Sequence, residues 1–165
     1  MRFKLALMLG ALVLQSGVQA QEPKQQKFSV KNIKVASDAG MKVQTKEHWA
    51  TFSNNVDIKL DDFRLRCDYL RLTYAEKTGG KSAEIETLEA KGNVLCNDKV
   101  RQIEAKSDSL VYEKSQGNPV FSSDERTEVK KEGSHMSAKS IRVNLESGEV
   151  LVDGSGRLEI DLQGL

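Results

Sequence analysis

Along most of this chain, apolar and polar residues alternate with a period of two. Ile33-Lys-Val35, Met41-Lys-Val43, Leu65-Arg-Cys67 and Leu70-Arg-Leu72 each send apolar side chains to one side and charged ones to the other. That is the pattern of a half-buried β-strand. Residues 28–30, 50–52, 83–90, 120–121, 150–152 and 157–162 predict further strands. Between them, glycine, asparagine and proline clusters at residues 37–40, 77–80, 92–93, 116–119, 132–135 and 146–148 predict turns. No segment sustains a helical period, so the chain is all-β.

The strands also repeat. Shifting the sequence by 38 positions lays residues 52–74 on 90–112 without a gap. Only Asn55/Asn93, Val56/Val94, Leu72/Leu110 and Tyr74/Tyr112 are identical, so the apolar pattern carries the match. A third copy follows with Met136, Ala138, Ile141, Val143 and Leu145. Recurrent units of this size cannot bury their apolar faces alone and must stack. In two copies the apolar parity flips partway along: Leu65 and Cys67 are odd, whereas Leu70, Leu72 and Tyr74 are even. Met136 and Ala138 give way to Ile141 and Val143 in the same manner. A regular strand cannot keep one face buried across such a slip, but a bulge or bend can. The expected architecture is a sheet folded over on itself, an open roll with an apolar inside.

The amino terminus follows a different logic. Arg2 and Lys4, an apolar run over residues 5–14 and Val18-Gln19-Ala20 read as a signal peptide cleaved after Ala20. The run is shorter than the ~20 residues of a spanning helix. Residues 21–165 are then expected to form one exported domain. Without Arg2 and Lys4 the formal charge moves from +1 to −1, so no basic surplus points to nucleic acid. An exported chain meets oxidising conditions. Cys67 and Cys96 fall on one face if residues 61–62 turn a hairpin. They form either a disulfide or two buried thiols.

Several strings resemble the periplasmic LptA/OstA-like family of lipopolysaccharide-transport proteins: NNV at residues 54–56, GNV at 92–94, CDYLRLTY at 67–74, AKSDSLVY at 105–112 and VDGSG at 152–156. The similarity runs from Phe28 to Leu162. Cys67 stands where the family's strand has alanine, and Asn54 where its turn has glycine. The resemblance implies a twisted, open β-jellyroll whose apolar interior shields lipid A acyl chains. It also implies domains joined edge to edge between the inner and outer membranes.

On that reading the groove would be lined by Ile33, Val35, Phe52, Val56, Ile58, Leu65, Leu70, Leu72, Val94, Ile103, Leu110, Tyr112, Met136, Ile141, Val143, Val150 and Val152. Phe28, Val30, Ile33 and Val35 at one end, and Leu158, Ile160 and Leu162 at the other, would form the partner edges. Such edges invite β-augmentation by bridge components or by a further copy, head to tail. Lipopolysaccharide is the expected ligand. Lys59, Arg64, Arg66 and Arg71 could meet lipid phosphates, although solvated strand faces carry such residues by default. His48 and His135 lack ligand spacing, and no nucleophile–base pair is evident, so no metal, cofactor or enzymatic activity is expected. Two other readings remain open: a structural or adhesive β-repeat with a sealed core, and a membrane-anchored member of the same transport system.

Overall fold

The computed structural model describes residues 33–60, 62–76, 83–145 and 147–160. The expected signal peptide, the edge residues Phe28, Val30 and Leu162, and the 77–80 turn lie outside the described residues. Among the described residues nine antiparallel strands form one sheet: β1 (Ile33–Ala36), β2 (Ala39–Gln44), β3 (Trp49–Leu60), β4 (Phe63–Glu76), β5 (Ala83–Asp98), β6 (Ile103–Glu113), β7 (Val120–Lys131), β8 (Ser134–Val143) and β9 (Val150–Ile160). From β3 to β9 each strand pairs with its successor, while β1 and β2 both pair with β3. The repeat is a stack of hairpins, β3–β4, β5–β6 and β7–β8. Short connections allow nothing but antiparallel neighbours.

Registers bear out the hairpin geometry, with Val56 opposite Cys67, Ile58 opposite Leu65 and Leu60 opposite Phe63. They shift at the places where parity flips. Shifts fall between Arg66 and Tyr69, between Lys106 and Ser109, and between Ala138 and Ser140. These irregularities align across the sheet and crease it into two leaves. The first leaf carries residues 56–60, 63–66, 94–98, 103–106, 127–131, 134–138 and 156–160. The second carries 49–53, 69–76, 83–91, 109–113, 120–122, 140–143 and 150–153.

Two sequence expectations change here. Gly92-Asn93 does not reverse the chain; it is a bulge inside β5, which runs unbroken from Ala83 to Asp98. Asn54-Asn55 does the same in β3. Asn54 (φ 62°), Asn55 (φ 48°), Gly92 (φ 74°) and Asn93 (φ 47°) all take the left-handed conformation. Glycine and asparagine tolerate it best. Likewise residues 150–152 and 157–160 are one strand, β9, with Gly154 (φ 88°) in its bulge. The residues that looked like turn punctuation bend strands instead.

A shared side-chain device holds the crease. Asn55 Nδ2 donates to Asp38 Oδ2 at 2.6 Å, and Asn93 Nδ2 donates to Asp68 Oδ2 at 2.8 Å. A Cβ on Gly92 would come within 2.5 Å of the Asp68 carboxylate, so close approach and positive φ both require glycine there. Farther along, the crease is lined by hydroxyls: Ser109 and Ser122 share a hydrogen bond of 2.7 Å, and the Asp108 N–H donates to Ser123 Oγ at 2.8 Å. These bonds satisfy polar groups that the broken ladder leaves over.

Between the leaves lies one apolar core. Leu65, Leu70 and Ala90 are fully buried, and so are Val94, Val129 and Ile141. Burying each of the larger aliphatic side chains contributes about 1.5–3 kcal/mol.

Candidate apolar interior and its mouth

Inward-facing side chains come from both leaves, because the crease turns the same sheet face toward itself. Of the expected lining, Phe52, Val56, Ile58, Leu65, Leu70, Leu72, Val94, Ile103, Leu110, Ile141 and Val143 are buried in the common core. Val35, Tyr112, Met136 and Val150 are partly buried and pack against it. Ile33 and Val152 lie at the ends and are exposed. Ala50, Ile85, Leu88, Ala105, Phe121, Val129 and Leu145 also belong to the buried interior, though the expected lining omitted them. Their alternation was visible. What hid Ile85 and Leu88 is a further register shift between Thr73 and Tyr74, which changes parity within β5.

In its centre the roll is filled by its own side chains. Toward the mouth, among the described residues, an apolar cavity of about 30 Å³ lies between Phe63, Ile85, Leu88, Leu110, Tyr112, Pro119 and Leu145. That volume holds about one water-sized group. The mouth opposite the crease is bounded by the hairpin ends of the two leaves, and hydrogen bonds tie these rims together. Arg101 Nε donates to the Leu145 carbonyl at 2.8 Å, and Lys131 Nζ donates to the Gly148 carbonyl at 2.6 Å. Arg101 is oriented by Asp98, which is 4% exposed and accepts from Arg101 Nη1 at 2.7 Å and from its backbone N–H at 3.0 Å. A carboxylate so deeply placed is kept by this pairing.

The ends of the sheet differ from its centre. Directly opposed residues share a face, so Leu158, paired with Met136, and Val152, paired with Ile141, look inward. So does Val43, paired with buried Ala50. Yet Leu158 is 59% exposed, Val43 49% and Val152 36%. Ile160, paired with Ser134, is 54% exposed. The apolar inner face therefore continues past the packed centre and lies open at both edges. These edges are β1 with β2 at one end and β9 at the other. β2 was expected as a strand but not as part of an edge.

Both cysteines are free thiols, buried on the inner face of neighbouring strands; Cys96 opposes Leu65, two residues from Cys67. Burial, and after it the Asp68 charge, pushes the Cys67 thiol up to about 11. Burial pushes Cys96 up as well, with Asp98 adding to it. Thiols held neutral in this way are poor nucleophiles.

Three of the four singled-out cations, Lys59, Arg64 and Arg66, meet on the outer surface of the first leaf; Arg71 is on the second, opposite Thr51 and Glu89. Arg64 grips Asp57 with two hydrogen bonds, of 2.9 and 2.7 Å. That bond to Arg64 outweighs burial and holds the Asp57 carboxyl below its ordinary value. His48 pairs edge-on with Tyr74, whereas His135 faces Glu159 across β8 and β9. The two are not brought together.

Comparison with known proteins places this geometry. Residues 34–149 match the family described as "LptA/(LptD N-terminal domain) LPS transport protein". Among solved structures, a similar one is that of LptH from Pseudomonas aeruginosa, described as the LptA-homologous periplasmic component of the conserved lipopolysaccharide transport device. The two chains are 15% identical with a TM-score of 0.65, and the match covers 83% of this chain and 99% of that one. At that identity the likeness speaks to the fold, a β-jellyroll. No curated protein matches the sequence.

Proposed function

The chain belongs to the LptA/LptD N-terminal-domain family of lipopolysaccharide transport proteins, and from that premise we propose that it is a periplasmic carrier of lipid A acyl chains. In this reading residues 1–20 are a cleaved signal peptide, and residues 21–165 form a single non-enzymatic domain that spans part of the route from inner to outer membrane. The observation that carries the proposal is the continuous inner face, packed in the centre and apolar but uncovered at both ends. Each exposed CH₂ of an acyl chain in water is unfavourable by ~0.8 kcal/mol. A face of Leu, Ile and Val relieves that without directional contacts, so it accommodates several chains of differing length.

Transport along this face needs two events. Neighbouring domains must continue the apolar track, and the unpaired edges of β1, β2 and β9 provide for this by β-augmentation with bridge components or another copy. The leaves must also part, because a cavity of about 30 Å³ is smaller than an acyl chain. Two polar contacts at the rims, Arg101 to Leu145 and Lys131 to Gly148, oppose that motion.

Photo-crosslinking in cells tests the assignment. Probes at Leu72 and Leu158, on the inner face, should yield adducts recognised by an anti-lipopolysaccharide antibody, whereas a probe at outward Arg71 should not. Absence of adducts from every inward position of a folded, exported protein would favour the second reading, a structural repeat with a sealed core. The packed centre is the observation behind that alternative. Amino-terminal sequencing separates the anchored form, since Gln21 as first residue excludes it.

A further inference from the structure

On the outer surface of the first leaf, β3 to β7 enclose a groove of about 630 Å³. Its walls carry Lys59, Arg64, Arg66, Lys99, Lys106 and Lys130 against three carboxylates, Asp62, Glu104 and Glu128. The registers explain how the cations gather. Lys59 and Arg64 are direct cross-strand partners, and Arg66 and Lys106 each oppose Leu95, from the β4 and β6 sides. Like charges placed opposite one another are unfavourable in a sheet. Asp57 compensates Arg64, but Lys99, Lys106 and Lys130 form no ion pair among the described residues. Leu95, 37% exposed, forms an apolar floor between two cationic walls.

The groove reaches the mouth of the roll. A second hollow, about 520 Å³, shares Asn97, Lys99, Glu104 and Lys130 with it and extends to the β7–β8 hairpin. That hairpin and the β5–β6 hairpin form the rim from which Lys131 and Arg101 reach the opposite leaf. Apolar interior and cationic exterior thus meet along one rim. An amphiphile with acyl chains between the leaves would have its anionic head over this groove.

We propose that the outer groove is a subsite for the phosphorylated saccharide headgroup of the lipid, a proposal that rests on the acyl-carrier reading above. Arg66, Lys106 and Lys130 would contact phosphate oxygens by charge-assisted hydrogen bonds. Leu95 and the aliphatic stems beside it would pack against sugar C–H faces. Headgroup phosphates at Lys99 and Lys130 would also sit beside Arg101 and Lys131, where they compete with the Leu145 and Gly148 carbonyls. Binding the head would thereby weaken the bonds that hold the rims together.

The test is calorimetric titration of the purified exported protein with lipopolysaccharide, with its alkali-deacylated phosphorylated saccharide, and with that saccharide after phosphatase treatment. Inorganic phosphate serves as the competitor. The phosphorylated saccharide should bind in low salt, and phosphatase treatment should weaken it at least roughly tenfold, the equivalent of one charge-assisted bond. The paired variant Arg66→Glu/Lys106→Glu should weaken both the saccharide and the whole lipid by about that factor or more. A milder pair, Lys106→Gln/Lys130→Gln, serves if charge reversal perturbs folding, and Arg71→Glu on the second leaf should change nothing. Failure of the wild type to bind the saccharide, unchanged affinity in the groove variants, or full displacement by equimolar inorganic phosphate would each overturn the assignment. The Leu72 crosslink reports separately on the interior. Saccharide binding without that crosslink would leave the groove standing and sink the acyl reading, whereas the crosslink without saccharide binding would sink the groove alone.

Discussion

Leu65, Leu70 and Leu158 are the same side chain on the same face of one sheet, yet the first two are fully buried and the third is 59% exposed. The difference is position. Leu65 and Leu70 lie on β4, inside the stack, where the opposing leaf covers them. Leu158 lies on β9, the last strand of the sheet among the described residues. Centre and edge thus carry the same pattern with different partners. The centre has supplied its own, and among the described residues the edge presents an unpaired backbone and an uncovered apolar stripe, which a sheet must protect or use.

Breaking the centre should have the largest effect. Leu70→Ala should lower the free energy of unfolding by about 3–5 kcal/mol in urea denaturation, the transfer and cavity cost of a filled core. The same truncation at Leu158 should cost under about 0.5 kcal/mol, as exposed substitutions do. Equal costs at the two sites would show that the edge is covered in solution, and the contrast would collapse.

Next comes the rim. Arg101→Met would strand the Asp98 carboxylate at 4% exposure and remove the bond to the Leu145 carbonyl. About 2–3 kcal/mol should be lost, less than for a fully buried pair because Arg101 retains some access to solvent. Hydrogen exchange should quicken first at residues 99–103 and 143–145, before the crease is affected; uniform loosening of all strands would count against a local rim contact.

At the crease, Gly92→Ala must adopt a φ of 74° and crowd Asp68. A cost of about 1–3 kcal/mol is expected. Asn55→Ala removes the hydrogen bond to Asp38 and puts alanine at a φ of 48° without crowding a neighbour, and should cost about 1–2 kcal/mol. If the two were equal in thermal melts, close approach at Gly92 would not be the limiting feature.

The smallest effect lies on the outer surface. The folded value of Asp57 is below its ordinary one, chiefly through its bond to Arg64. Its contribution to stability is therefore present above the ordinary carboxylate range, near pH 4, and is lost as pH falls through the folded value. Between pH 5 and pH 2, Arg64→Gln should flatten the acid-side slope of stability slightly, in keeping with a solvent-screened pair. An unchanged slope would mean that the pair adds nothing.

Much of this was legible in one dimension. Alternation at Ile33-Lys-Val35 and Leu70-Arg-Leu72 made the strands visible, since a pleated chain turns successive side chains to opposite faces. The slip between Cys67 and Leu70 marked the crease. Asn54 was consistent with positive φ because asparagine tolerates it. Most of the expected lining is buried between the leaves, Ile33 and Val152 are exposed at the ends, and Ile85 and Leu88 escaped notice where an irregularity in pairing changed parity. Arg71 was grouped with Lys59, Arg64 and Arg66, but the crease between Arg66 and Arg71 sends it to the other leaf.

The sequence by itself determined the all-β class, the hairpin repeat, the parity slips in β4 and β8, and the family. These depend on local geometry and short-range order, which residue type and spacing encode directly. Tertiary structure alone decided that residues 92–93 and 154–155 bend strands instead of ending them, because a bulge differs from a turn only in where the following residues find partners. It also decided which members of one apolar stripe are covered. Burial is set by whether a second surface lies opposite, and the alternation along β9 is the same with a neighbour as without one.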